Sequence, residues 1–318
     1  MAMVTILFSK SVQANIALSL AAFFWGTTFI FQRQAMDHLA PLAYGGLRFT
    51  IGALCLMPLA LPRARKLFAA SDNPGQLIRL WLTGAAISGG CIFIGVSFQQ
   101  YGLLWTTAGK AGFITSLYVV LVPLILRCFG QKISLGEAIG AVLAVIGLYL
   151  MSFTAGLTSL SRGDALVLFG ALIWAGHVLS LGWLAPKMDS IILGMGQALF
   201  CGLMGLTAAA VTGQWPALAS IQAAWLDILW GSVFSVTLGF TLQVVGQKHA
   251  KPAPAAIILQ MEAVVAALAG WLILKEVMTI RLVTGATIML AGMLISQLWP
   301  IWVRSRNTRP PKTAQGAG

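Results

Sequence analysis

The chain has 318 residues, of which 58% are hydrophobic and only 9% are charged, and its mean hydropathy is +0.88. Soluble domains carry about 25% charged residues, so this composition excludes an ordinary water-soluble fold. The net charge of +12 does not indicate a nucleic-acid partner, because the basic residues flank apolar segments as they do in membrane proteins.

Ten apolar stretches follow one another along the chain, each long enough to cross a bilayer as a helix. They are predicted at residues 14–33, 42–62, 78–98, 106–127, 135–153, 163–184, 190–211, 226–247, 254–274 and 280–300. Because each run is continuously apolar, helices are favoured over barrel strands, which alternate and are about half as long. The sequence therefore predicts an all-α integral membrane protein of ten transmembrane helices. Residues 304–318, rich in basic residues and proline, are expected to form a disordered cytoplasmic tail.

The second half of the chain repeats the first. Trp25-Gly26 in the first predicted helix is echoed by Trp174-Ala175, at an offset of 149 residues. The predicted repeats, residues 14–153 and 163–300, hold five helices each. Since five is odd, the second copy must enter the membrane upside down. Inverted repeats of this kind are typical of secondary transporters, whose substrate site lies near the midplane where the repeats meet.

The fifth helix of each predicted repeat carries glycines at matching positions. Gly140 and Gly147 are echoed by Gly285 and Gly292, at an offset of 145 residues. Small residues let helix backbones approach closely where lipid supplies no hydrophobic drive. We therefore expect the fifth and tenth helices to pack tightly against each other or against their neighbours.

Basic residues are distributed unevenly between the two sides of the predicted membrane domain. With a cytoplasmic N-terminus, fourteen of the 20 Lys and Arg residues lie on the cytoplasmic side, five on the other side and Arg48 within a span. This asymmetry follows the positive-inside rule. An even number of spans places both termini in the cytoplasm. We expect a multi-pass protein of the bacterial inner membrane.

Ionisable residues far from the span ends predict a site, because charge within a bilayer is costly and usually faces a cavity. Glu262 lies eight residues into the ninth predicted helix, about 12 Å deep at 1.5 Å per residue. At the offset of 145 its counterpart is Leu117, so packing alone does not demand a carboxylate. We hypothesise that Glu262 binds substrate or a proton, the alternative being an ion pair that locks helices together. His177 is a candidate for exchanging protons with Glu262, the alternative being a hydrogen-bonded core residue.

Two cationic residues, Lys110 and Arg48, lie toward the outer side of their predicted helices. One interpretation is that they attract an anionic group, such as a carboxylate, into an outward cavity. The alternative is that their long side chains reach back to the membrane interface. Glu262 together with Lys110 would suit a zwitterion.

Uncharged residues inside the spans complete the predicted site. The rings of Trp25, Trp174 and Tyr118 are candidates for stacking on a ligand or receiving a cation. Gln243 is a candidate hydrogen-bond donor to substrate. Pro123 removes a backbone hydrogen bond within its helix and is a candidate hinge. For each residue the alternative is structural: ring packing, an interhelical hydrogen bond or a static bend.

The stretch from Thr106 to Pro123, TTAGKAGFITSLYVVLVP, resembles the fourth helix of the EamA family of the drug/metabolite transporter superfamily. Trp25-Gly26, Arg48-Phe49 and Lys275-Glu276 support this resemblance, which covers about residues 14–300. The resemblance implies a ten-helix, two-bundle carrier with a central cavity lined chiefly by helices 1, 3, 4, 6, 8 and 9. Members of the family move amino acids, other metabolites or drugs, often outward.

Motifs of soluble and metal-dependent catalysis are missing from the sequence, including HExxH, GxSxG and the Walker loop. We therefore expect no cofactor, no metal and no enzyme activity. The prediction is a secondary transporter that exports a small organic metabolite, amino-acid-like or drug-like, by alternating access. Membrane lipids are its expected surroundings. Protons or a counter-substrate are candidate coupling partners, and the oligomeric state is left open. The alternatives are a channel or facilitator and an intramembrane enzyme using Glu262 and His177.

Overall fold

The computed structural model describes residues 10–106, 108–152, 161–274 and 279–307, and the regular elements within these ranges are all helical. In chain order the α- and π-helices are α1 (Lys10–Ala35), α2 (Pro41–Ala69), α3 (Pro74–Gly102), α4 (Ala108–Ser116), α5 (Tyr118–Cys128), α6 (Leu135–Ser152), α7 (Arg162–Leu184), α8 (Ser190–Val211), α9 (Leu218–Ala223), α10 (Trp225–Trp230), the π-helical α11 (Gly231–Phe240), α12 (Thr241–Gln247), α13 (Pro252–Leu259), α14 (Met261–Leu274) and α15 (Ile280–Asn307). A short 3₁₀ helix, Ala185–Lys187, follows α7. Helices α1 to α6 form the first half of the chain and α7 to α15 the second.

Several of these helices begin at residues that suit a helix N-terminus. Pro41, Pro74 and Pro252 stand in the first turn of α2, α3 and α13, where a missing N–H costs no hydrogen bond. Asp189 caps α8, because its carboxylate accepts hydrogen bonds from the backbone N–H groups of Ile191 and Ile192 at 3.0 and 3.1 Å.

Seven helical segments are long and apolar enough to cross a membrane: Lys10–Ala35, Pro41–Ala69, Pro74–Gly102, Arg162–Lys187, Ser190–Val211, Trp225–Gln247 and Pro252–Ile273. Three shorter apolar segments follow the remaining predicted spans: Ile114–Cys128, Leu135–Gly147 and Val283–Ser296. The prediction of an all-helical, multi-pass membrane protein is therefore confirmed. The count of ten spans stays a prediction, because these three segments hold only 10–17 residues each.

Two predicted spans are interrupted near their middle. The span predicted at 106–127 divides at Leu117 into α4 and α5, and the span predicted at 254–274 divides at Gln260 into α13 and α14. At each point the backbone tightens: the N–H of Val120 bonds the carbonyl of Leu117, and that of Ala263 bonds the carbonyl of Gln260, both at 3.0 Å. Three-residue spacing of this kind marks a short 3₁₀ turn. The two halves thus share an interrupted helix.

The C-terminal helix is longer than predicted. Helix α15 continues to Asn307 and so enters the segment that was expected to be disordered from residue 304. Residues 308–318 lie outside the described residues, as do Lys275 and Glu276 of the family resemblance.

The two halves interleave. Helix α1 of the first half packs against α11, α12 and α14 of the second, and we call these four helices lobe A. Its repeat equivalent, α7, packs against α3, α4 and α5 of the first half, and these four form lobe B. Each lobe therefore combines the first helix of one repeat with later helices of the other. Helix α2 packs on its own equivalent α8, and α6 packs on its equivalent α15.

Glycines fix the contact between α6 and α15. A side chain added at Gly140 would meet the carbonyl oxygen of Gly292 at 2.8 Å, and one added at Gly292 would meet the carbonyl oxygen of Gly140 at 2.9 Å. Gly147 faces Gly285 in the same way. This close contact confirms the predicted tight packing. Because rising numbers on α6 meet falling numbers on α15, the two equivalent helices run antiparallel.

Helices α2 and α8 show the same relation. A side chain added at Gly46 would meet the backbone of Gly205 at 2.9 Å, and one added at Gly202 would meet the backbone of Thr50 at 2.6 Å. Rising numbers on α2 again meet falling numbers on α8. Two pairs of equivalent helices are therefore antiparallel, which is the arrangement that inverted repeats require.

Candidate functional site

A cavity lies between the two lobes, and both halves of the chain contribute to its wall. Five aromatic rings line it: Trp25, Phe29, Tyr118, Trp174 and Phe240. The other lining residues are Arg48, Glu262, Gln32, Gln99, Gln243, Thr115, Ser235, Val96, Val178 and Leu259. The structure thus brings together six of the residues singled out from the sequence: Glu262, Arg48, Tyr118, Trp25, Trp174 and Gln243.

The wall is built from equivalent positions of the two repeats. A side chain added at Gly239 would meet the Trp25 indole at 2.6 Å, and one added at Gly95 would meet the Trp174 indole at 3.1 Å. The tryptophans are 149 residues apart and the glycines 144. Each indole therefore packs on a glycine of the opposite repeat. The contact of Trp25 with Gly239 and the contact of Trp174 with Gly95 are equivalent under the symmetry of the repeats.

The same offset of 144 relates other lining residues. It pairs Gln99 with Gln243 and Tyr118 with Glu262, and all four line the cavity. At the offset of 145 taken from α6 and α15, the counterpart of Glu262 is Leu117, which directly precedes Tyr118. The repeats share the shape of the cavity but not its charge.

The two tryptophans differ in their hydrogen bonding. The Trp25 Nε1–H donates to the backbone carbonyl of Ser235 in α11 at 3.2 Å. The Trp174 side chain is 9% exposed, and its Nε1–H has no acceptor among the described residues. Ser235 lies in the π-helical α11. Departures from regular α-helical hydrogen bonding often occur where a side chain from another helix approaches the backbone. The Trp25 contact thus ties α1 to the π-helical segment of lobe A.

Glu262 lies in the first turn of α14, directly after the interruption at Gln260. Its side chain is only 4% exposed, and one carboxylate oxygen lies 3.5 Å from the Ser116 hydroxyl, at the limit of a hydrogen bond. Within the described part of the chain, no Lys or Arg is within ion-pair distance of it. The start of a helix favours negative charge modestly. A buried carboxylate without a cation still needs a proton or a cationic ligand to neutralise it.

Arg48 contributes the opposite charge. Its side chain is 2% exposed, and the guanidinium lies over the rings of Tyr44 and Phe49, with its carbon 5.2 and 4.9 Å from their centroids. The Tyr44 hydroxyl itself donates to the backbone carbonyl of Asp227 at 3.2 Å. Nε and Nη1 of Arg48 have no hydrogen-bond acceptor in the part of the chain that the structure describes. The cavity therefore contains a fixed cation with donors to spare.

Glutamines connect the two lobes at both ends of the cavity. The Gln99 amide in α3 donates to Gln32 Oε1 in α1 at 3.0 Å. The Gln247 amide at the end of α12 donates to the backbone carbonyl of Val178 in α7 at 2.7 Å. Gln243 Oε1 has no partner among the described residues.

Sequence reasoning missed four polar residues of the wall, Gln32, Gln99, Thr115 and Ser235. Single uncharged polar side chains are too common in membrane helices to be distinctive. Of these, Gln99 could have been found by following the repeat, because Gly95 and Gln99 recur as Gly239 and Gln243.

Three predicted site residues are not placed in the wall. His177 is fully buried beside it, with its ring against Trp174 and Phe240 and its Nε2 3.2 Å from Gln197 Oε1. It does not line the cavity that contains Glu262. The backbone of Lys110 is in α4, and its side chain lies outside the described part.

Pro123 is buried inside α5, six residues after the interruption at Leu117. The equivalent interruption at Gln260 occurs without any proline in α14. The tight turn is therefore not a consequence of proline alone, and the hinge stays a prediction.

Comparison with known proteins gives a consistent picture. The model of the EamA-like transporter family matches this chain twice, at residues 13–153 and 161–298. An uncharacterized transporter of Archaeoglobus fulgidus is 29% identical over 290 residues, which cover 91% of this chain and 87% of the relative. The uncharacterized transporter YoaV of Bacillus subtilis is 24% identical over 284 residues, covering 86% and 92%.

A solved crystal structure has the same fold. It superimposes with a TM-score of 0.73 at 16% sequence identity, covering 91% of this chain and 98% of the other. At that identity the similarity concerns the fold alone.

Proposed function

We propose that this chain, which belongs to the EamA-like transporter family, is a secondary transporter that moves a small organic metabolite by alternating access. The observation that carries this proposal is the cavity between lobes A and B, lined by equivalent residues of two antiparallel repeats. Such a pocket can open to either side when one lobe rocks against the other. Its aromatic wall, which also holds a few charged and polar side chains, suits an amino-acid-like or drug-like molecule.

Glu262 is the proposed coupling group. A carboxyl can bind and release a proton, and this one is buried in the cavity wall without a neighbouring cation in the described part. Proton binding and substrate binding at one carboxyl exclude each other, which is the simplest basis for exchange of substrate against protons. We propose export as the direction, in keeping with the family resemblance.

The proposed location is the bacterial inner membrane, with both termini in the cytoplasm. The support is the excess of Lys and Arg on the side of the N-terminus. A reporter enzyme that folds only in the cytoplasm, fused after Gly318, tests this orientation. Activity of the fusion is expected, and activity of a periplasm-specific reporter at the same site would reverse the topology.

The decisive experiment uses the full chain purified into liposomes that contain a pH-sensitive dye. A panel of amino acids and aromatic amines, acids and neutral compounds is first screened for a rise in melting temperature, and the compounds that bind are then offered as substrates. A transporter gives saturable flux, counterflow of labelled compound and a matching proton movement. Flux that does not saturate would indicate a channel, and a chemically altered compound would indicate an enzyme. Either result would overturn the proposal.

A further inference from the structure

Arg48 has the features of an anion-binding residue. It lines the cavity, it is 2% exposed, and Nε and Nη1 have no acceptor in the described part of the chain. An unsatisfied buried donor is costly, and a buried charge without a counter-charge is more so. A ligand that supplies two acceptor oxygens and one negative charge removes both costs at once.

The surroundings of Arg48 hold it in place without neutralising it. The faces of two aromatic rings, Tyr44 and Phe49, lie against the guanidinium, and a ring face attracts a cation only weakly. The Tyr44 hydroxyl is already bonded to the backbone of Asp227. Among the described residues no carboxylate lies within ion-pair distance of Arg48. The Arg48 side chain is therefore held in position before a ligand binds, and its Nε and Nη1 donors remain available among the described residues.

Glu262 and Arg48 line the same cavity without forming an ion pair with each other. They belong to different repeats, and the positions that correspond to them at the repeat offsets, Leu117 or Tyr118 for Glu262 and Gln197 for Arg48, are uncharged. The opposite charges are thus kept apart. Glu262 can take a proton or a cationic group of the substrate, whereas Arg48 is the residue of the wall that can recognise a negative charge.

We propose that the transported molecule carries a carboxylate, that this carboxylate binds the Arg48 guanidinium, and that a flat apolar part of the molecule lies against Trp25 and Trp174. The inference rests on the proposed function, since it assigns a substrate class to that same cavity. Arginine presents parallel N–H groups whose spacing matches the two oxygens of a carboxylate. The five rings of the wall supply the apolar contact.

Matched acid and amide probes test this proposal. The purified full chain is titrated with 3-phenylpropionate and 3-phenylpropanamide, and with indole-3-acetate and indole-3-acetamide, while the melting temperature is followed. Within each pair the shape is the same and only the charge differs. For the wild type we expect the acid to bind about tenfold to a hundredfold more tightly than its amide, the range expected for a charged hydrogen bond. Equal binding of acid and amide, or no binding of either acid, would overturn the proposal.

Two variants locate the effect. Arg48→Gln is expected to abolish the preference for the acid, whereas Arg63→Gln, an exposed arginine of the same helix, should keep it. A folded Arg48→Gln protein that still prefers the acid would contradict the assignment. If this variant does not fold, the wild-type ratio still decides the question. The probes also separate the two proposals. If the acid binds more tightly than the amide but no flux is measured, the transport function alone is wrong. If flux is measured but acid and amide bind equally, the substrate class alone is wrong.

Discussion

Trp25 and Trp174 occupy equivalent positions, yet among the described residues only the Trp25 indole N–H has an acceptor, the Ser235 carbonyl. Replacing either by Phe removes the N–H and some ring area. We expect Trp25→Phe to lose the additional hydrogen bond that ties α1 to α11, worth about 1 kcal/mol. Trp174→Phe should lose no bond and be the more stable variant. Melting temperatures of the two proteins in detergent, without ligand, check this; equal values would contradict it.

Glu262 is the residue whose replacement should change coupling. Glu262→Gln keeps the size of the side chain but can no longer bind and release a proton. We expect counterflow of a bound compound to persist, while flux loses its dependence on a pH gradient. Transport is measured in liposomes with and without a pH difference across the membrane. Glu137→Gln is the matched control, since Glu137 bonds the Ser134 backbone at the start of α6, away from the cavity.

If Glu262→Gln and Glu137→Gln both retain wild-type pH dependence, the coupling role assigned to Glu262 is wrong. If both lose it, the effect is not specific to the cavity carboxyl. Only loss in Glu262→Gln alone supports the proposal.

Which cavity residues the sequence could reveal depends on how unusual they are in lipid. Glu262 and Arg48 stand out because charge inside a span is costly. Gln99 does not stand out alone, but Gly95 and Gln99 recur as Gly239 and Gln243 at one offset, so the repeat was a usable signal for it. The hydrogen bond of Trp25 could not be predicted. Its acceptor is a backbone carbonyl on a distant helix.

At the scale of helices, the contact between α6 and α15 should tolerate little added volume. A Cβ at Gly140 would lie 2.8 Å from the Gly292 carbonyl oxygen and 2.8 Å from the Ser296 Cβ, so the helices must separate. We expect Gly140→Ala to destabilise the protein by about 1–3 kcal/mol through overpacking. Gly176→Ala is the control, because nothing lies within 4 Å of a Cβ there.

Thermal unfolding of Gly140→Ala and Gly176→Ala in the same detergent compares the two changes directly. The control should match or exceed the wild type in stability, since alanine is the better helix former. A stable Gly140→Ala protein would mean that the two helices are free to move apart, contrary to the tight packing described.

The interruptions at Leu117 and Gln260 mark the limit of sequence reasoning for single helices. Apolar residues continue on both sides of each point, so hydropathy sees one uninterrupted span. Pro123 hinted at a bend in one repeat, but the other repeat tightens with no proline in α14. The π-helical α11 is similar, because hydropathy treats Trp225–Gln247 as one continuous apolar span. These features follow from packing between helices, which composition does not encode.

For the whole molecule, the sequence repeat predicted two five-helix units, and helices of the two units pack together in two lobes. Helix α1 sits with α11, α12 and α14, and α7 sits with α3, α4 and α5. The echo of Trp25 at Trp174 is compatible with separate bundles or with interleaved ones. Only the contacts decide between them. The consequence is that a hydrogen bond between α1 and α3, both of the first repeat, joins different lobes.

Two glutamine bonds of this kind close the cavity at opposite ends. Gln99 to Gln32 joins the lobes toward the C-terminal end of α1, and Gln247 to Val178 joins them toward its N-terminal end, where Gly246 packs on Leu18. Alternating access requires that one end opens while the other stays closed. Each bond should therefore stabilise closure at its own end.

Gln99→Leu and Gln247→Leu are expected to shift access in opposite directions. Losing one bond of about 1 kcal/mol changes a two-state population about fivefold. With the four native cysteines replaced and Ser235→Cys in the wall as reporter, a membrane-impermeant thiol reagent is added on the Gln32 side. Labelling should be faster with Gln99→Leu and slower with Gln247→Leu than with the reporter alone. Two shifts of the same sign would show that the glutamines hold the lobes together without controlling which end opens.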